Sequence, residues 1–249
     1  MKFGKCVNQT HHEKLNHNRN YKSENVTTMK TKISLNKILI LTSIFLLGIS
    51  TSGFTQNEQN NTELDKKVKA FLASNDYSWR DMNVPASDGQ LLFDIIVDNG
   101  YKNVVEIGTS TGHSGIWIAW ALSKTGGKLI TLEIDERRYK EALANFEKAG
   151  LSDYIDARLC DAHEMVKELE GPIDFVFSDA DKTWYTNYFK DLAPKLSVGG
   201  CFTAHNITPY RRQRGIGEFV DYIENQSNFE TTYNNEGGGV SISYKRAEK

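Results

Sequence analysis

The sequence predicts an α/β fold: a mostly parallel, seven-stranded sheet with an antiparallel end and helices on both faces. Three observations carry the prediction. From residue 103, short apolar runs alternate with stretches of helical period. A loop bounded by Gly108 and Gly112 follows the first run and opens a helix. The chain ends on two strand-like runs separated by a glycine-rich turn at 236–239. Alternating strands and helices imply crossover units, which in a parallel sheet are right-handed.

The elements follow in order. From Thr62, the residues Leu64, Val68, Phe71 and Leu72 recur at helical spacing. The stretch DGQLLFDIIVDNG repeats this with Leu91, Leu92, Ile95 and Ile96 on one face, and Gly100 stops it. Strands are expected at 103–107, 128–134, 154–159, 173–178 and 201–205, with helices near 113–124, 136–149, 162–170 and 184–195. A helix over 212–225 precedes FETTYN and GVSISYK, the antiparallel pair that completes the sheet. Residues 57–249 read as one domain, without internal repeats.

The first 56 residues differ in kind. They hold eight Lys and Arg against two Asp and Glu, although the whole chain has a net charge of −2. The body is therefore acidic and has no basic stripe, which argues against nucleic acid as a partner. Residues 1–28 are polar, rich in Asn, Lys and His, and lack periodicity, so they read as a disordered leader before a true start at Met29. On that reading His11, His12 and His17 carry no function; the alternative is a metal-binding tail. Residues 29–56 have the layout of a signal peptide or signal anchor. Lys30, Lys32 and Lys37 precede the apolar run Ile38–Ile49, and small residues follow at Ser50, Ser52, Gly53 and Thr55. The run is short of the roughly 20 residues of a spanning helix, and no cysteine follows it to take a lipid. Cys160 and Cys201 fall near strands that are not neighbours, so no disulfide is expected.

The loop VVEIGTSTGHSG suggests a ligand site. Gly108 and Gly112 let the backbone turn tightly and approach a ligand, and the helix N-terminus offers free amides. In open parallel sheets the ligand crevice lies at the carboxyl ends of the strands, where strand order reverses. The spacing is G-x-x-x-G, not the G-x-G-x-x-G of dinucleotide binders, and there is no phosphate loop of the G-x-x-x-x-G-K-[ST] kind. The next strand ends in TLEID, which places Glu133 where a carboxylate accepts from both hydroxyls of a ribose. A plain strand-to-helix turn remains the alternative for the loop alone.

Four segments in this order, MNVPASDGQLL (82–92), VVEIGTSTGHS (104–114), TLEID (131–135) and DFVFSDADKTWY (174–185), resemble the S-adenosylmethionine-dependent O-methyltransferases of the catechol and caffeoyl-CoA type. The resemblance covers about residues 62–245. It implies the Rossmann-like class I methyltransferase fold, with a reversed last strand, and a small hydroxylated aromatic as acceptor; a homodimer is compatible with it. It also implies roles. Met82 and Val84 would line the methionine end of the cofactor. Glu106, Gly108, Ser110 and Ser114 would surround its amino-acid part, with Gly112 completing the loop. Glu133 would hold the ribose, and Ile134, Ala162 and His163 would flank the adenine.

DFVFS is the fourth parallel strand, adjacent to the first, so Asp179 emerges at the carboxyl edge facing the cofactor's sulfonium. In the resembled family this Asp ligates a divalent metal that also holds both oxygens of a vicinal diol and lowers the pKa of the one to be methylated. Lys182 matches the catalytic lysine, which takes the hydroxyl proton, and Asp181 the acid that orients Lys182 or the substrate. After the fifth strand the family usually has Asp-Asn; this chain has His205 and Asn206. If Asp179, His205 and Asn206 bind a metal, the imidazole favours a transition metal over magnesium. The alternative is a site without metal in which His205 acts as a neutral base or hydrogen-bonds the acceptor.

PYRRQRGIGEF (209–219) holds three arginines, read either as a solvated helix start or as a mouth for an anionic substrate. Trp184, Tyr185 and Tyr210 are candidate aromatic walls. The competing readings are a nicotinamide oxidoreductase, against which the glycine spacing and the Asp179/Lys182 pair speak, and a non-catalytic cofactor-binding protein, which His205 keeps open. A nucleic-acid methyltransferase lacks its [DN]-P-P-[YF] motif here. The leader suggests export or membrane anchoring, with membrane contact through that segment alone. The alternative is the cytoplasm, where S-adenosylmethionine is made.

Overall fold

The computed structural model describes residues 7–8, 62–74, 83–208, 210, 213 and 215–248. Met1–Asn8 and Leu64–Lys249 form one compact unit; Gln9–Glu63 form a second, nearly all of it outside the described residues. The leader histidines, the segment 29–56, Met82 and the arginines at 211, 212 and 214 also lie outside them.

Among the described residues, seven strands form the body of the sheet: β1 (Asn103–Ile107), β2 (Lys128–Glu133), β3 (Ile155–Leu159), β4 (Ile173–Ser178), β5 (Leu196–His205), β6 (Phe229–Asn234) and β7 (Val240–Lys245). They lie side by side in the order β3-β2-β1-β4-β5-β7-β6. The pairs from β3 to β5 are parallel, and β7 runs antiparallel to both β5 and β6. Val7–Asn8 pair antiparallel with Leu159 and Arg158 at the free edge of β3. Strand order reverses between β1 and β4, which opens a crevice at their carboxyl ends.

The helices are α1 (62–74), α2 (Ala86–Asn99), α3 (His113–Thr125), α4 (Glu136–Ala149), α5 (Ala162–Glu168), α6 (Tyr185–Leu192) and α7 (Ile216–Glu224). Gly100, Gly126 and Gly150 close α2, α3 and α4 in the left-handed conformation, which costs a residue without Cβ nothing. Asp135 and Asp161 cap α4 and α5 by accepting from the N–H groups of Arg138 and His163.

The strand pattern divides the core in two. Along β1, Val104 faces a cluster with Leu92, Ile96, Trp117 and Phe146, while Val105 and Ile107 face a cluster with Phe189, Phe202 and Phe219. Helices α2–α4 therefore cover one face and α5–α7 the other. Each fully buried phenylalanine contributes about 1.5–3 kcal/mol by leaving water.

Several expected boundaries moved: the last helix begins at Ile216, not residue 212, and α6 ends at Leu192, not residue 195. The fifth strand begins at Leu196, not residue 201, because the stretch LSVGG pairs with the start of β4 through a register irregularity between Ile173 and Phe175. Within this stretch Gly199 adopts a positive φ of 86°.

Candidate active site

The loop after β1 is built by its glycines and anchored to β2. Gly108 and Gly112 both have φ of 96°, and the N–H groups of Gly108 and Thr109 donate to the Leu132 carbonyl. A methyl on Gly108 would press on Ala180, so the loop packs tightly against the turn after β4. Ser110, also at positive φ, donates its N–H to Glu133 Oε2 at 2.7 Å. Glu133 Oε1 accepts from the N–H groups of Ile134 and Asp135 at 3.0 and 2.9 Å. Behind the loop, Glu106 is fully buried. Its Oε2 accepts from Thr131 at 2.6 Å, and its Oε1 has no partner. Burial pushes its carboxyl up to about 7, against the hydrogen bonds of Ser114 and Thr131 that pull it down.

A cavity of about 420 Å³ opens at these strand ends, within the roughly 300–1,000 Å³ usual for small-molecule sites. Gly108, Ser110, Ser114, Glu133, Ile134, Ala162, His163, Asp179, Asp181 and Lys182 all line it, so ten site candidates from the sequence meet in one place. Glu106 and Gly112 stand behind the lining as support. Val84 is buried in the core, where its carbonyl accepts from His113 Nδ1 at 3.0 Å, and does not line the cavity. The charged Glu133, the orphaned Glu106 oxygen and the open glycine loop suit a cofactor bearing a ribose and an ammonium group. A separate cavity of about 260 Å³, among Phe189, Tyr222, Phe229 and Lys245, shares none of these residues.

His163 half-fills the wall near the α5 start. Its ring stacks on Trp184 at 4.2 Å, and its Nε2 lies 3.1 Å from Asp181 Oδ2. Asp181 also accepts from the N–H and hydroxyl of Thr183. It thus engages the α5 start and its own turn and not Lys182, while it also lines the cavity, where the other expected role, toward the substrate, would be exercised. Tyr185 is not a wall either: it is fully buried against Phe219 and donates to the His205 carbonyl at 3.2 Å. Tyr210 is 89% exposed.

The corner expected to hold a metal is occupied by hydrogen bonds. Asp179 Oδ1 receives Lys182 Nζ at 3.5 Å, and its Oδ2 faces His205 Nδ1 at 3.1 Å. The other ring nitrogen, Nε2, faces Asp88 Oδ2 at 2.8 Å. Burial alone would lower the imidazole's pKa; the hydrogen bonds and charges of Asp179 and Asp88 outweigh it and raise the pKa to about 9. Asn206 follows at a positive φ of 59°. Among the described residues no group of three or more His, Cys, Asp or Glu side chains is arranged to hold a metal. The expected set of Asp179, His205 and Asn206 therefore does not fit a divalent cation as arranged, because both His205 nitrogens are already spent on carboxylates. For the same reason the ring has no free nitrogen with which to act as a neutral base.

A family model described as O-methyltransferase matches residues 56–209. The chain belongs to this family. A catechol O-methyltransferase of Niastella koreensis is 44% identical over 110 residues, covering 43% of this chain and 49% of that one. Caffeoyl-CoA O-methyltransferase 1 of Eucalyptus globulus is 36% identical over 140 residues, covering 54% and 56%. The chain thus spans about half the length of the curated relatives it matches. The solved O-methyltransferase from Bacillus cereus, in complex with SAH, superposes with a TM-score of 0.61 at 24% identity, over 74% of this chain and 91% of that one. TomG from Streptomyces achromogenes, in complex with SAM, gives 0.62 at 23% identity over 72% and 88%. These two likenesses establish the Rossmann-like methyltransferase fold for this O-methyltransferase-family chain.

Sequence reasoning missed Asp88, Arg138 and Asp161. The last two line the cavity, and Asp88 reaches the corner from α2. Asp135 and Asp161 read alike as helix caps, and Asp88 as an acid in a first helical turn. The available signal for Asp88 was its place inside the quoted MNVPASDGQLL motif.

Proposed function

We propose that the protein is an S-adenosylmethionine-dependent O-methyltransferase that methylates a hydroxyl of a small, catechol-like aromatic. The observation that carries this reading is a single cavity lined by Ser110 and Glu133 from the β1 and β2 ends together with Asp179 and Lys182 from the β4 end. Family membership and the names of the two curated relatives support the reaction class and the aromatic acceptor.

S-adenosylmethionine, as co-substrate, supplies a methyl group carried on a sulfonium. Glu133 would accept from its ribose, and the loop around Ser110, backed by Glu106, would hold its amino-acid part. The acceptor oxygen bonds to the methyl carbon as the carbon–sulfur bond breaks, and the sulfur keeps the electron pair. The hydroxyl proton goes to Lys182 Nζ. Most of the catalytic benefit is positioning of oxygen against methyl, in line with the bond that breaks.

The test is transfer of labelled methyl from S-adenosylmethionine to a panel of catechols, caffeate derivatives and monophenols. Catechols are expected to take label. Label on no member, with S-adenosylhomocysteine still binding by calorimetry, would leave a binding protein of the same fold and overturn the enzymatic reading.

A further inference from the structure

Asp88, His205 and Asp179 come from α2, the end of β5 and the turn after β4, and they form one chain of hydrogen bonds. Asp88 is 1% exposed. Its Oδ2 accepts from His205 Nε2 and from the Gly238 N–H, both at 2.8 Å. The opposite edge of the ring reaches Asp179 Oδ2 at 3.1 Å, and Lys182 meets the other Asp179 oxygen.

We propose that His205 takes the place of a divalent cation in this protein: its ring ties Asp179 to Asp88, keeps a metal out and leaves methyl transfer metal-independent. The inference rests on the O-methyltransferase reading and deepens it.

Ionised carboxylates only accept hydrogen bonds, so a ring held between two of them carries a hydrogen on each nitrogen. Such a ring has no lone pair for a metal. The charges also suit the arrangement without one, since the imidazolium lies between the Asp88 and Asp179 carboxylates and offsets their repulsion. Without a positive charge between them, the buried Asp88 and the partly buried Asp179 would repel each other at a cost. With His205 between them, that repulsion is offset without a divalent ion.

The turn between β6 and β7 locks the arrangement. Gly237 and Gly238 pass so close to Asp88 and His205 that a methyl on either would strike those side chains. The ring cannot swing aside to expose a nitrogen unless this turn moves. Asp179 is thereby fixed at one oxygen by His205, with its other oxygen toward Lys182. Activation of the acceptor hydroxyl then falls to Lys182 alone.

The experiment reads metal binding directly, apart from turnover. Chelator-treated full-length protein is titrated calorimetrically with MgCl2 and ZnCl2, and its metal content is measured by elemental analysis. The expected result is no saturable binding at millimolar metal, no stoichiometric metal as isolated, and methyl transfer unchanged in chelator. One equivalent of bound metal, or chelator-sensitive transfer restored by a divalent ion, overturns the proposal while the O-methyltransferase reading stands. Absence of any methylated acceptor overturns that reading, and the titrations still decide the metal question. His205→Asp is the matched variant: it replaces the bridging ring with a third carboxylate and should gain a saturable rise in melting temperature with divalent metal. A folded His205→Asp protein with no metal response would show that the ring is not what keeps the cation out. If that variant does not fold, the wild-type titration decides.

Discussion

The backbone N–H of Ser110 donates to Glu133 Oε2 at 2.7 Å, which ties the loop after β1 to the tip of β2. With the bonds from Ile134 and Asp135, three of the roughly four lone-pair sites on the Glu133 carboxylate are engaged. The carboxylate thus shapes the loop and keeps room for a ligand hydroxyl. Glu133→Gln turns one acceptor oxygen into an NH2 group that faces backbone donors. A hydrogen bond to a charged group is worth about 1.5–3 kcal/mol, so affinity for S-adenosylhomocysteine should fall about tenfold or more. The melting temperature should fall as well. Unchanged affinity by calorimetry would refute the ribose assignment.

If the cofactor's ammonium group lies beside Glu106, cofactor binding should depend on pH. The folded Glu106 pKa of about 7 lies above the ordinary 4.5, so the folded protein holds a proton that the unfolded chain has lost. Stability of the ligand-free protein should therefore decline as pH rises from about 4.5 to about 7. An ammonium group beside Glu106 favours its ionised form, so binding releases the proton. Affinity should then rise with pH up to about 7 and level off above it, by at most about tenfold per unit. Glu106→Gln should flatten both dependences. A wild-type affinity that is flat from about pH 5.5 to 8 would exclude this coupling.

Location is tested at residues 29–56, read as a signal on their basic start, apolar run and small residues. Fusion of this segment to a reporter active only outside the cytoplasm should give activity, and moving the start codon to Met29 should preserve it. A reporter that stays soluble and cytoplasmic sinks the export reading.

The sheet was legible because its signals are local. Val104, Val105 and Ile107 announce a buried strand by composition, and Asp135 with Gly150 brackets α4 at both ends. The cavity residues were legible for a related reason: Gly108, Glu133 and Asp179 sit at the carboxyl ends of parallel strands, so topology alone brings them together. The His205 corner was only half legible. The sequence shows a histidine where the resembled family has an acid, but its partner Asp88 lies 117 positions away on another element. Apart from its place in the MNVPASDGQLL motif, Asp88 reads as a helix-start acid, and only the fold brings the turn at Gly237 and Gly238 against it. Tyr185 failed as a predicted aromatic wall although its signal was local: Tyr185, Tyr188, Phe189 and Leu192 recur at helical spacing and form the buried face of α6.

Lys182 has two possible duties, and a pair of substitutions separates them. Its Nζ lies 3.5 Å from Asp179 Oδ1 and its side chain is 35% exposed at the cavity, so it can either offset the Asp179 charge or take the acceptor proton. General base catalysis contributes roughly 10²–10⁴-fold, whereas an ion pair this exposed is worth about 1 kcal/mol or less. Lys182→Ala should thus lower kcat by about a hundredfold or more if the lysine is the base. Cofactor affinity should change little, because Lys182 acts on the acceptor. Lys182→Arg keeps the positive charge but does not release its proton at accessible pH. Loss of turnover in both variants, with S-adenosylhomocysteine binding intact, identifies the lysine as the base. An arginine variant that restores turnover would reduce Lys182 to a counter-charge for Asp179, and the proton would need another acceptor, with solvent water at the cavity mouth the first to examine.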